Sequence, residues 1–172
     1  MEIMWASWRS KYIQGFKDET ECGDSTCIFC SAAGNPENDS ELYVVARRKN
    51  CFVMLNRFPY NGGHLMVAPY RHVAELDGLT LEEMTEIMIV IKESTKALCK
   101  ISKPHGYNIG SNIGRVAGAG IPGHIHFHIV PRWNGDTNFM SVISDTKVVS
   151  QSLEETQVLL TKAFAELEHG NQ

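Results

Sequence analysis

Two short runs near the front of the chain, residues 41–48 and 51–57, alternate apolar with polar positions and are rich in Val, Tyr and Phe. Successive side chains of an extended chain point to opposite faces, so the runs read as β-strands, and the short Lys49-Asn50 link makes them a hairpin. Residues 63–69 (GHLMVAP) follow as a third strand. The period then changes. Leu81, Met84, Ile87, Met88, Ile91 and Leu98 recur at three- and four-residue steps with Glu82, Glu83, Glu86 and Lys92 between them, the pattern of an amphipathic helix. Thr80 followed by Glu83 is a capping-box start, and Pro104-His105-Gly106 marks the end. Residues 107–112 and 124–131 read as two further strands joined by a glycine-rich loop at 114–123, and residues 153–167 read as a last helix. Residues 32–40 (AAGNPENDS) concentrate turn formers and read as a loop. Hairpin-like links between strands, with the helices kept apart from them, predict an α+β fold. It comprises an antiparallel sheet of about five strands, a long helix packed on it and a C-terminal helix.

At 172 residues the chain has the size of one domain. Within it we distinguish an arm at 1–40, a core at 41–140 and a C-terminal segment at 141–172. A hydrophobic fraction of 43% and a charged fraction of 21% are those of a soluble globular protein, not of a membrane-embedded or disordered one. A net charge of -4 argues against a nucleic-acid groove, because polyanion binding leaves a basic excess. The first sixteen residues mix charges with Trp5 and Trp8 and lack a signal-type apolar run. The five cysteines are an odd number, which suits reduced thiols. The expected location is the cytoplasm.

The chemistry concentrates at His124-Ile125-His126-Phe127-His128-Ile129-Val130. On a strand the three imidazoles share one face, and Ile125, Phe127 and Ile129 share the other. Three histidines at strict alternation beside a glycine loop are poorly explained by packing. Nor do they suit a single metal ion, since His124 and His128 would lie about 13 Å apart at about 3.3 Å per residue. They therefore divide into more than one job.

This pattern resembles the histidine-triad (HIT) family, whose mark is His-φ-His-φ-His-φ-φ with φ apolar. The resemblance extends through the segment from Leu55-Asn56-Arg57-Phe58 to Gly62-Gly63-His64-Leu65, and through Pro131-Arg132-Trp133. The Trp5-Ala6-Ser7-Trp8-Arg9 arm is similar to the branch containing diadenosine tetraphosphate phosphorylases and hydrolases. The resemblance implies that His126 attacks the α-phosphate of a nucleotide or dinucleoside polyphosphate and carries a covalent nucleotidyl group. A neutral imidazole is a good nucleophile near pH 7, and a two-step displacement lets water or phosphate finish the reaction. His128 and His64 would then hydrogen-bond the phosphate. Asn56 takes the place of a ribose contact and Asn112 that of a phosphate-chain contact. Met54 and Met66 are candidates either for the base or for core packing. Gly120 stands where many members carry Gln or Ser near the leaving group, and backbone amides of its loop are the expected substitute. The resemblance also implies a two-fold homodimer.

Cys27-Ile28-Phe29-Cys30 is a CxxC pair without a thioredoxin-like βαβ context. In several branches of the family such a pair binds zinc with two histidines, and Cys27, Cys30, His72 and His124 occupy those places. A closed tetrahedral Cys2His2 site is structural, with no open position for substrate. Gly118-Ala119-Gly120-Ile121-Pro122-Gly123 fits GxGxxG literally, but a strand follows it instead of a helix, so it is not a dinucleotide fingerprint. Three classes of function stay open. One is a nucleotidyl hydrolase or transferase, with water slightly ahead of phosphate as acceptor and a phosphoramidate as a further substrate; the others are a nucleotide-binding regulatory protein and a zinc hydrolase.

Overall fold

The computed structural model describes residues 27–137 and 151–169, so the Trp5-Ala6-Ser7-Trp8-Arg9 segment lies outside the described residues. Five strands form one antiparallel sheet: β1 (Val44–Arg47), β2 (Cys51–Leu55), β3 (Leu65–Pro69), β4 (Gly106–Gly110) and β5 (Phe127–Arg132), in the order β1-β2-β3-β5-β4. Among the described residues three α-helices accompany it: α1 (Ile28–Gly34), α2 (Leu81–Ser102) and α3 (Leu153–His169). The α+β architecture and the five antiparallel strands follow the sequence pattern.

Alternation along the strands divides the interior in two. Val53, Leu55, Leu65, Val67 and Ile129 meet Ile87, Val90, Ile91 and Leu98 of α2 and Leu160, Ala163 and Phe164 of α3. On the other face Phe52, Met54, Met66 and Ala68 meet Phe29 and Ala32 of α1, together with Ile121. Each such large side chain contributes about 1.5–3 kcal/mol when fully buried, so both layers matter, although the second is much thinner. The start of α2 is fixed as its sequence suggests: the Glu83 amide donates to Thr80 Oγ1 at 3.2 Å, and the Thr80 amide donates to Glu83 Oε2 at 2.8 Å. Arg71 grips the same carboxylate at 2.7 and 2.6 Å. Its guanidinium is the main reason that the Glu83 carboxyl is held down to about 2.

Two expectations need correction. The strand expected at 124–131 begins at Phe127, because its partner β3 ends at Pro69, which has no amide to donate. The Pro69 carbonyl accepts from His124 Nε2 at 2.9 Å instead, and the Ile125 amide turns to the Val73 carbonyl at 2.6 Å. The burial alternation nevertheless persists, with Ile125 in the main core and His124 and His126 on the opposite side. The second correction is α1, which lies across the boundary of the expected arm and loop. It has seven residues and no side-chain cap, so its stability comes from tertiary contacts and not from local signals. The first three strands are shorter than expected, and the strand expected at 107–112 runs from Gly106 to Gly110. Among the described residues, no helix is long and apolar enough to cross a membrane.

Candidate functional site

The histidines gather on the α1 face of the sheet. His126 is 4% exposed. Its Nδ1 lies 2.8 Å from the His124 carbonyl oxygen. A carbonyl only accepts, so Nδ1 carries the proton and Nε2 holds the lone pair. Burial pushes the His126 imidazole below its ordinary value, outweighing the carbonyl, so at neutral pH the ring is uncharged and nucleophilic at Nε2. Ser111 Oγ donates to the His126 carbonyl at 2.7 Å, tying this backbone to the end of β4.

His64 and His128 form a second ordered pair. The Tyr60 amide donates to His64 Nδ1 at 3.1 Å, which leaves the His64 proton on Nε2. That Nε2 donates to His128 Nδ1 at 2.9 Å, which puts the His128 proton on its own Nε2. A backbone amide thus dictates the tautomer of two rings in series. The rings of His126 and His128 meet edge to face at 4.8 Å, so a ring with a free electron pair stands beside a ring that donates. His64 itself is 0% exposed and reaches the triad through His128 Nδ1. The turn that delivers it requires glycine: Gly63 has φ +76°, and a Cβ there would approach Leu98 Cδ2 to 3.0 Å.

Next to the triad, Cys27, Cys30, His72 and His124 bring four ligand atoms within 4.8 Å of one another. The Sγ of Cys27 is 3.4 Å from His124 Nδ1, and that of Cys30 is 3.1 Å from His72 Nδ1 and 3.6 Å from His124 Nδ1. Such a group could hold a metal ion. His124 Nε2 donates to the Pro69 carbonyl, the outer contact that fixes a ligating ring. Burial lowers the His124 imidazole to about 4, keeping it neutral as ligation requires. Gly123 makes room, since a Cβ there would meet His72 Nε2 at 3.1 Å.

The other candidates are distributed along the same face. Met54, Met66 and His128 are neighbours in one row across β2, β3 and β5, and both methionines are buried in the α1 cluster. Asn56 spends its amide locally, accepting from the Phe58 amide at 2.9 Å and approaching His64 Nδ1 at 3.4 Å. Asn112 Nδ2 donates to the Gly118 carbonyl at 3.5 Å, spanning the glycine loop that contains Gly120.

Residues 36–135 match the family model described as the HIT domain. The chain belongs to the HIT family. This HIT protein is 38% identical over 166 residues to a protein named AP-4-A phosphorylase from Mycobacterium tuberculosis, covering 96% of this chain and 85% of that one. It is 31% identical over 121 residues to an asymmetrical bis(5'-nucleosyl)-tetraphosphatase from Schizosaccharomyces pombe, covering 70% and 63%. A solved Zn-bound histidine triad family protein from Mycobacterium smegmatis superposes with a TM-score of 0.68 at 26% identity, covering 86% of this chain and 99% of that one. In the HIT protein the sequence reading passed over Phe29, Tyr60 and Ser111. Phe29 had a visible signal in its place between the two cysteines. Tyr60 acts through its amide and Ser111 through one hydroxyl, and neither leaves a mark in a sequence pattern.

Proposed function

We propose that this HIT protein cleaves dinucleoside polyphosphates at an α-phosphate through a nucleotidyl group carried on His126, with inorganic phosphate as acceptor. The observation that carries this reading is the His126 Nδ1–H bond to the His124 carbonyl, which leaves Nε2 as the attacking atom. With diadenosine tetraphosphate, Nε2 forms a bond to the α-phosphorus, the bridging P–O bond breaks and its electron pair leaves on ATP. The imidazolium so formed keeps its Nδ1 proton on the carbonyl, and His128 Nε2–H hydrogen-bonds the oxygen on which charge develops. A phosphate oxygen then attacks the same phosphorus, the P–N bond breaks, and ADP leaves with His126 neutral again. The acceptor's proton passes to solvent.

Gly120 narrows the substrate class. It offers no side chain to protonate a leaving group, which an amine leaving from a phosphoramidate needs. A terminal phosphate, with a second pKa of about 6, departs as its anion. The relative named AP-4-A phosphorylase, similar over 96% of the chain, supports phosphate over water and reverses the order favoured on sequence grounds. For the metal cluster we infer structural zinc. A tetrahedral zinc with bonds of about 2.3 Å to sulfur and about 2.0–2.1 Å to nitrogen has S···N edges of about 3.5 Å, and the separations Cys30–His72, Cys27–His124 and Cys30–His124 are 3.1, 3.4 and 3.6 Å. When bound, zinc would cross-link α1 to the sheet. The same reading includes a two-fold dimer, supported by the edge strand β4 with Ile109 exposed on it, and a cytoplasmic location.

The test is incubation with diadenosine tetraphosphate, with and without millimolar phosphate, plus mass spectrometry of quenched protein. Phosphate-dependent ADP with ATP, and an adenylyl adduct on His126, are expected. AMP with ATP irrespective of phosphate would overturn the acceptor, and an adduct on another residue would overturn the mechanism.

A further inference from the structure

Phe29 is unusual for a residue inside a ligand motif, because its side chain is entirely buried and lies against two histidines at once. Its ring centroid is 4.6 Å from that of His126 at an interplanar angle of 32°, and 5.1 Å from that of His124 at 47°. Both are within the range of favourable ring contacts. The imidazole of His126 is therefore bounded on three sides: by the phenyl face of Phe29, by the edge of His128 at 4.8 Å, and by the His124 carbonyl at Nδ1. The carbonyl fixes which nitrogen is protonated only while the ring is held in line with it. Phe29 blocks rotation of the ring away from that line. Residue 29 in turn depends on the ends of its own turn, since Cys27 precedes α1 and Cys30 lies within it, and both direct sulfur at His124.

We propose that Phe29 is a positioning residue for the nucleophile, and that it joins the orientation of the His126 ring to metal occupancy of the Cys27, Cys30, His72 and His124 cluster. The metal ligands hold the first turn of α1, the turn presents the phenyl ring, and the ring keeps His126 Nε2 aimed at the substrate. This rests on the nucleophilic role of His126 proposed above. Phe29 has no polar group with which to bind a phosphate, so its effect falls on the rate of nucleotidyl transfer to His126 and not on substrate affinity.

The test uses the full-length metal-loaded protein and two variants, Phe29→Leu, which keeps an apolar side chain but lacks a flat face, and Phe29→Ala. Histidine 15N NMR at mildly alkaline pH reports the tautomer of His126 without any substrate. The wild type should show a single Nδ1–H form and both variants a mixture of forms, with metal content unchanged by elemental analysis. Chelation of the wild-type metal should produce the same mixture. In single-turnover mixing with diadenosine tetraphosphate, adduct formation at saturation should slow about tenfold in Phe29→Leu and about 100-fold in Phe29→Ala, the loss expected for roughly 1 Å of misplacement, while KM changes less than twofold. An unchanged tautomer and adduct rate in Phe29→Leu would overturn the proposal. So would a raised KM with an unchanged saturated rate, which would make Phe29 a substrate contact, or a wild-type tautomer indifferent to chelation. If the wild type forms no adduct, it is the function of His126 that fails, and the NMR arms still decide whether Phe29 holds its ring.

Discussion

Replacing His64 with Phe keeps a ring of similar size but deletes both nitrogens of the Tyr60–His64–His128 series. The His128 Nδ1 loses the donor at 2.9 Å, and the Tyr60 amide loses its acceptor at 3.1 Å. Both partners are half-buried, so each lost bond costs near the low end of about 1–3 kcal/mol. Their sum of about 2 kcal/mol corresponds to a fall in Tm of about 4–8 °C for a chain of this size. The catalytic loss is smaller than for a residue in contact with substrate. His128 loses the donor at its Nδ1, and forfeiting one neutral hydrogen bond of about 0.5–1.5 kcal/mol lowers kcat about 2- to 12-fold. If His64 acts through His128 and not on substrate directly, KM stays within about twofold. His128→Phe, which removes the donor itself, should cost about 100- to 1,000-fold in kcat. Steady-state turnover of diadenosine tetraphosphate together with thermal melts measures all of this. If His64→Phe falls as far as His128→Phe, then His64 contacts the phosphate after all; if kcat does not move, the serial tautomer argument is wrong.

His126→Gly should abolish both adduct and turnover while nucleotide binding by calorimetry persists; residual adduct would assign the nucleophile elsewhere. Cys27→Ser should lose the metal from one equivalent per chain and lower Tm, and elemental analysis with a melt would contradict this by finding an unchanged protein. Glu83→Gln tests the cap of α2 through pH. The Glu83 carboxyl is lowered from 4.5 to about 2, so its contribution is fully present above 4.5 and is lost as pH falls through about 2. Arg71 is half exposed, and with that screening we expect about 1–2 kcal/mol at neutral pH. Melts across pH should show the two proteins converging near pH 2, and a gap that persists there would refute the linkage. Light scattering should give two protomers per particle; a monomer at micromolar concentration would contradict the dimer.

The elements read from sequence were those with a strong internal period. The α2 helix announces itself over six turns and carries its own cap, and the β1/β2 hairpin alternates cleanly between two short runs. The strand with the histidines was legible in its alternation but not in its hydrogen bonding, since where β5 begins depends on Pro69 in a distant strand. The first helix could not be read from propensity, because a seven-residue helix is held by Phe29, Ala32 and two cysteines against residues about 100 positions away. The four metal-cluster residues were brought together as expected, whereas the burial of His64 was invisible in one dimension. Nothing in the order of residues says that one imidazole hydrogen-bonds another.

The His124 side chain and the His124 carbonyl have independent fates under mutation. Any substitution at this position takes away the imidazole and with it one of the four side chains that could hold a metal ion, yet the peptide oxygen that accepts the His126 Nδ1–H hydrogen bond belongs to every amino acid. A lineage could therefore discard the two cysteines, His72 and His124 one by one without erasing the acceptor that sets the His126 tautomer. What it would need to rebuild is a hold on the first turn of α1, and a few additional apolar contacts are a short mutational distance away. The four side chains and the backbone acceptor can thus change separately, provided that the first turn of α1 keeps its hold.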